Sequence, residues 1–304
     1  LLLVTVLFTL SVFAQHTNTA RKASAISTVS RETQWLEIGA APKRRIALKS
    51  ATDIKVISYN IRWRSGEELR TLIKLFQGDA EIGGATILGL QEVDRNKKRS
   101  GNRNTAALLA AELGMYYAWA APAATSNDKE EETGVSILSA YPLTDVRRLV
   151  LPHEGPGGRR RVALGATVKL EKISVRVYSV HAETRIKPDE KLEQLKVVVE
   201  DLNHYGTDMP TIVLGDFNTW EPAAIDNTFK LFVEQRFQTP FAEEPTFLTR
   251  AVFVPIELKL DWIWVRNLKT TSHGIDCAIR ISDHWPLWVV LQRSAAASKK
   301  AERN

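Results

Sequence analysis

Six short apolar runs in this chain each end, or begin, in an acid, an amide or an imidazole, and that placement constrains the fold more than any other feature. Residues 54–59 (IKVISY) run into Asn60, 85–90 (ATILGL) into Gln91-Glu92, 175–180 (VRVYSV) into His181, and 211–214 (TIVL) into Gly215-Asp216-Phe217-Asn218. Asp261 opens 261–265 (DWIWV), and Asp283-His284 precede 287–291 (LWVVL). Their β-branched and aromatic content predicts strands. An Asp or Asn after a strand is, taken alone, most often a turn residue or helix cap, and a lone His is most often solvated. Six such endings in one chain fit a site assembled on rigid strand ends.

Between these runs the pattern alternates. Residues 135–138, 162–170 and 260–265 also read as strands. Residues 67–76 and 104–113 (NTAALLAAEL, ended by Gly114) have helical character. Residues 188–204 form an amphipathic helix, with Leu192, Leu195, Val198, Val199 and Leu202 on one face and Pro188 in the first turn. Many strands with a few helices predict sheets packed on each other with helices outside.

The net charge of +6 sits mainly in the ends of the chain. Residues 1–50 carry seven Lys/Arg against two acids and 294–304 carry three against one, so 51–293 has 31 basic and 32 acidic residues. A folded part at −1 gives no electrostatic argument for binding long polyanions. The single cysteine, Cys277, excludes an intramolecular disulfide and a Cys-based zinc site. Residues 1–14 (LLLVTVLFTLSVFA) match the apolar core of a secretory signal, with cleavage expected before Gln15. This predicts a secreted or periplasmic protein, with an uncleaved anchor as the alternative. Residues 15–50 read as a linker, 51–293 as the folded domain and 294–304 as a flexible tail.

Ser58-Tyr59-Asn60-Ile61-Arg62, Leu90-Gln91-Glu92-Val93, Val180-His181, Gly215-Asp216-Phe217-Asn218, Leu260-Asp261-Trp262-Ile263 and Ser282-Asp283-His284-Trp285-Pro286 resemble, in the same order, the motifs of the endonuclease/exonuclease/phosphatase family, the deoxyribonuclease-I-like metal-dependent phosphoesterases. The resemblance spans about 51–293. It implies an α/β (α+β) four-layer sandwich, two mostly antiparallel β-sheets face to face with helices on the outer faces and the site at one end. It implies that Glu92 is the main metal-binding carboxylate, with Asn60 beside it, for Mg²⁺ or Mn²⁺. Asp216 and Asn218 resemble the pair that orients or activates the attacking water and contacts the phosphate, with the base left open between Asp216 and a histidine. His284 resembles the histidine on the scissile phosphate, with Asp283 orienting it or helping to bind metal. His181 matches a second histidine, here flanked by Val180 and Ala182, and Asp261 is expected to hold His181 or a neighbour in its tautomer.

The chemistry agrees with this residue set. An anionic ester repels water, so its hydrolysis needs a cation, donors on the non-bridging oxygens and an activated water in line with the leaving oxygen. No Ser or Cys stands in a recognisable nucleophile setting, which favours direct attack by water. The substrate expected is a phosphate ester, with a nucleic acid or phospholipid headgroup both open, a phosphomonoester as a further possibility, and a catalytically silent binding protein as the alternative class. No obligate protein partner is evident and a monomer is expected.

Arg161, in the turn 155–161 (GPGGRRR), is expected to reach the phosphate. The basic stretch 94–104 starts beside Glu92 and reads equally as a solvated loop or an anion-facing one. Asp128 and Glu130-Glu131-Glu132 read as a surface loop. Trp262, Trp264, Trp285 and Trp288 are expected to fill core or sheet faces. His153, His204 and His273 lack motif context.

Overall fold

The computed structural model describes residues 34–42, 53–123, 132–158, 160–251 and 253–293. The expected signal segment, the tail 294–304 and the acids Asp128, Glu130 and Glu131 lie outside the described residues.

The strands are β1 (Leu36–Ala40), β2 (Ile54–Asn60), β3 (Ile87–Arg95), β4 (Tyr116–Ala120), β5 (Glu132–Ser139), β6 (Leu143–Val150), β7 (Val162–Lys169), β8 (Ser174–His181), β9 (Thr211–Asp216), β10 (Phe247–Ala251), β11 (Val254–Leu258), β12 (Asp261–Arg266), β13 (Leu268–Ile275) and β14 (Leu287–Arg293). The helices are α1 (Gly66–Gly78), α2 (Thr105–Leu113), α3 (Pro188–Leu202) and α4 (Pro222–Glu234). One sheet has seven strands in the order β1-β4-β5-β3-β2-β14-β13, and a second has five in the order β12-β9-β8-β7-β6. β10 and β11 pair with each other as a hairpin, and Phe247 of β10 also bridges His284.

Each large sheet is antiparallel apart from one central parallel pair, β2 with β3 and β8 with β9. Each parallel pair needs a crossover, and α1 and α3 supply them. Their sequences suit the task. Leu69, Leu72 and Phe76 make the buried face of α1, while Leu195, Val198 and Leu202 do so for α3. Against α3 and α4 lie Tyr178, Val180, Val213, Phe217, Trp262 and Trp264 in one apolar cluster. Trp262 and Trp264, both fully buried, stack at 5.2 Å, so these tryptophans do fill the core.

The inner faces of the two sheets meet closely. A side chain at Gly89 of β3 would stand 2.0 Å from Leu214 Cδ1 of β9. Buried Gln91 Nε2 donates across the gap to Ser179 Oγ at 3.1 Å. The expected sandwich with helices outside is the fold observed.

Three readings change. The stretch taken as linker contains β1, an edge strand beside β4 whose neighbour Ala41 donates its N–H to Met115 O at 2.9 Å. Glu132 is no loop residue: it begins β5, is buried, and pairs with Arg95 directly opposite on β3. The basic stretch 94–104 is neither a free loop nor an anion trap in its first half. Arg95 is spent on Glu132 and lies over the Trp119 ring at 4.1 Å, and Arg99 pairs with Asp94 at 2.6 Å over the Trp63 ring.

Candidate active site

Topology alone gathers the polar strand ends. β2, β3, β8 and β9 are parallel within their pairs, so Asn60, Glu92, His181 and Asp216 fall at one end of the sandwich. β12 and β14 run the other way, against β9 and β2, so their beginnings lie at that same end. The register sets the neighbours: His181 and Asp261 both stand opposite Asp216, on either side of it.

Asp216 is the hub. Its Oδ2 accepts from Asn60 Nδ2 at 2.9 Å and lies 3.6 Å from His181 Nε2 and 3.7 Å from His284 Nε2. Its Oδ1 accepts the Asn218 N–H at 3.0 Å. Gly215 makes this approach possible, since φ is +137° there and a Cβ would sit 2.0 Å from Val180 O. Asn218 (φ +54°) and Glu92 (φ +54°) also adopt left-handed backbone. Glu92 does so at a bulge in β3, which re-aims its carboxylate into the cavity.

Behind Asp216 sits a dyad. His284 Nδ1 lies 2.8 Å from Asp261 Oδ2, which also accepts from Thr246 Oγ1 at 2.8 Å. Thr246 Oγ1 in turn accepts the Leu260 and Asp261 N–H groups at 3.0 and 2.9 Å. The partner of Asp261 is therefore His284, and not His181. Asp283 does not orient His284 either: its carboxylate pairs with Arg62 at 2.8 Å on the cavity wall. Consecutive residues leave the chain in different directions, so the carboxylate adjacent in sequence is not the one that meets the ring.

Burial pushes the Asp216 carboxyl up to about 7, a push that Asp261 and Glu92 reinforce and the His284 charge and Asn60 oppose. Burial works against a charged His284, but Asp261, Asp216 and Asp283 outweigh it and carry the imidazole up to about 10. Burial also brings Lys259 down to about 7, and its Nζ donates to Asp261 O at 2.7 Å.

Arg62, Glu92, His181, Asp216, Asn218, Asp283 and His284 line one cavity of about 370 Å³, together with Thr184, Trp220, Phe247, Leu258 and Leu260. One expected contact changes. Arg161 is absent from this wall, its Nε being held by Glu183 Oε2 at 3.0 Å. Asn218 lines the cavity, with one N–H of its Nδ2 donated to Ala182 O at 2.9 Å and its backbone N–H donated to Asp216.

The donor set suits a hard cation. Glu92 and Asp283 present carboxylates to the cavity, and Glu92 receives only a long contact, from Asn60 Nδ2 at 3.4 Å, among the described residues. Asn60 fits less directly, because its Oδ1 already accepts the Arg62 N–H at 3.0 Å. Asp216, Asp261 and His284 also bring ligand atoms within 4.8 Å of one another, but Asp261 and His284 are hydrogen-bonded to each other there.

Arg62, Thr246, Trp220 and Phe247 had no role assigned from sequence. Arg62 stands inside a motif and so carried a signal, whereas Thr246 carried none.

Residues 57–284 match the Endonuclease/Exonuclease/phosphatase family. The chain belongs to that family. A comparison with curated protein sequences finds no match. Among solved structures, an endonuclease/exonuclease/phosphatase from Beutenbergia cavernae DSM 12333 is 19% identical, with 80% of this chain and 72% of that one covered at a TM-score of 0.64. The human nocturnin catalytic domain with bound sulfate is also 19% identical, covering 80% and 94% at a TM-score of 0.62. A humanised D. rerio TDP2 is 16% identical, covering 80% and 100% at 0.56. At these identities the likeness is one of fold. Members of the Endonuclease/Exonuclease/phosphatase family are phosphoesterases of nuclease- or phosphatase-like type that depend on divalent metal.

Proposed function

We propose that this chain is an exported phosphodiesterase that uses Mg²⁺ or Mn²⁺ and attacks phosphorus in line with water. The observation that carries the reading is the arrangement around Asp216: two histidines, a half-buried carboxylate and an amide, all within reach of one buried carboxyl that burial has raised to about 7. A base so poised accepts a proton from water near neutral pH. As the new P–O bond forms, that proton passes to Asp216. His284, held by Asp261 and charged at neutral pH, directs Nε2–H at the phosphoryl group and has a proton available for the departing oxygen. Asn218 fixes Asp216 by its N–H, and Arg62 on the wall offers a guanidinium to the non-bridging oxygens. Glu92 and Asp283, with Asn60 beside them, would hold the metal, which supplies charge neutralisation at phosphorus.

The test is turnover of bis-p-nitrophenyl phosphate with Mg²⁺ or Mn²⁺. EDTA and Glu92→Ala are each expected to lower it by about 10³-fold or more. Turnover indifferent to both would sink the metal-dependent reading. A folded protein that binds metal but turns over neither this diester nor a monoester points to the binding-protein alternative.

Among phosphodiesters, the rim of the cavity favours one carrying a lipid. The β10–β11 hairpin roots at the site, where the Phe247 ring lies 4.7 Å from that of His284 and Leu258 joins it on the wall. Its far end is apolar and uncovered: Phe253 is 91% exposed and Val254 64%. Trp220, 48% exposed, also lines the cavity. Such an apolar tip rewards acyl chains, whereas a polyanion needs a row of cations along its backbone. Phe253→Ser with Val254→Ser is expected to cut hydrolysis of phosphatidylcholine vesicles about tenfold and to leave the soluble diester unaffected. DNA cleaved while vesicles are untouched would turn the substrate reading to a nuclease.

A further inference from the structure

Arg161 lies outside the cavity, yet it touches the site from behind. It immediately precedes β7, whose first residue, Val162, stands opposite His181 on β8. Its Nη1 sits 3.4 Å from His181 Nδ1. A guanidinium has only donors, so the ring nitrogen it meets must be the acceptor, and the neutral imidazole then carries its proton on Nε2. His181 Nε2 is the atom that faces Asp216, at 3.6 Å.

The guanidinium is not a roving surface group. Its side chain is 14% exposed and that of Glu183, its partner at 3.0 Å, is 6% exposed. Glu183 is pinned in turn. Its Oε1 accepts the N–H groups of Thr184 and Arg185 at 3.0 and 3.3 Å, and its own N–H donates to buried Gln194 Oε1 at 2.8 Å. Gly155 leaves room for that carboxylate, since a Cβ there would stand 2.4 Å from Glu183 Cδ. The relay runs Gln194, Glu183, Arg161, His181 and ends at the cavity.

The second histidine is wired the opposite way. His284 Nδ1 meets Asp261 Oδ2, an acceptor, so that nitrogen carries the proton. We infer that Arg161 is a positioning residue that fixes His181 as the Nε2–H tautomer, making it a hydrogen-bond donor to the phosphoryl group and withdrawing it from the role of base. The catalytic half of this inference rests on the hydrolase reading above; the tautomer does not. It leaves Asp216 as the group that takes the proton from water.

Nitrogen-15 NMR of histidine-labelled full-length protein, assigned with His181→Gln, separates protonated from unprotonated ring nitrogens. The expected result is a His181 ring with Nδ1 unprotonated and Nε2 protonated. Arg161→Met should shift that ring toward a tautomer mixture and lower kcat on bis-p-nitrophenyl phosphate about 10- to 100-fold with KM little changed. Arg161→Lys, which keeps a donor, should recover much of both. A wild-type ring protonated at Nδ1 overturns the inference, as does an Arg161→Met protein whose ring and kcat are unaltered. Should Arg161→Met fail to fold, the wild-type spectrum still decides the tautomer, and Glu183→Gln, which loosens the anchor, replaces it in the kinetic arm. The expected tautomer in a protein without turnover would sink the hydrolase reading and leave the hold of Arg161 on the ring supported.

Discussion

His284→Ala is expected to lower kcat on bis-p-nitrophenyl phosphate by about 10³-fold, with KM changed by no more than a few-fold. The ring is buried, its Nε2 faces the cavity beside Asp216, and its charge is sustained by the carboxylates around it. A group stabilised in its charged form at the point where phosphoryl charge grows contributes chiefly in the transition state, so its loss falls on kcat. Asp261→Asn should follow with a smaller loss, about 10²-fold, because the amide keeps much of the shape while removing the charge that outweighs the cost of burying an imidazolium. The two losses should not add, since Asp261 acts through His284: the double variant is expected to be close to His284→Ala alone. Steady-state kinetics on all three proteins, with far-UV circular dichroism to check folding, decides this. Independent, additive losses would break the dyad as a unit.

What was legible in the sequence, and what was not, divides along physical lines. β2, β3, β8, β9 and β14 announce themselves because each carries a run of apolar, mostly β-branched or aromatic residues with at least one face buried. The strands left unread include three sheet edges: β1 (LEIGA), β6 (LTDVRRLV) and β13 (LKTTSHGI), each half solvated and correspondingly polar. β12 is also an edge, yet it was readable, because α4 covers it and Trp264 packs on Phe232 there at 5.1 Å. The site followed the same rule. Residues at the ends of readable strands were found, and topology brought Asn60, Glu92, His181, Asp216, Asp261 and His284 together. Pairings between side chains were not legible, because they depend on register and rotamer. Asp261 therefore surfaced with its companion left open between His181 and a neighbour, and Arg161 was assigned to phosphate when its guanidinium is committed to Glu183 and His181.

Asp216→Asn should make the protein more stable at pH 8 while abolishing its activity, and the two effects have one cause. Burial raises the folded-state carboxyl to about 7 from its ordinary 3.8. Between those values the folded state holds a proton that the unfolded chain has released, so stability falls as pH rises through that window and the full cost is present above about 7. Asparagine does not titrate and escapes the cost. It also deprives His284 of one of the charges that sustain it, which takes back part of the gain, although Asp261 still holds the ring. A net gain on the order of 1–2 kcal/mol is expected at pH 8, seen as a rise of a few degrees in Tm. At pH 4 the gain should be largely gone, since Asp216 is protonated in the folded state and only about half ionised in the unfolded one, whose carboxyl titrates at 3.8. Lys259 shifts the other way, its folded value of about 7 against 10.5 costing stability as pH falls through that range, but it is common to both proteins and cancels in the difference. The comparison belongs in EDTA, so that bound metal does not neutralise the carboxylate in the parent. Turnover of the diester should drop by about 10³-fold or more, because the proposed mechanism uses Asp216 as the base. A variant less stable than its parent at pH 8, or equally favoured at both pH values, would show that Asp216 is not held against its ionisation. The stability that the chain gives up at this position would then have to be sought elsewhere. If the result is as expected, the cost of burying Asp216 is the physical measure of how strongly the fold poises it to take a proton from water.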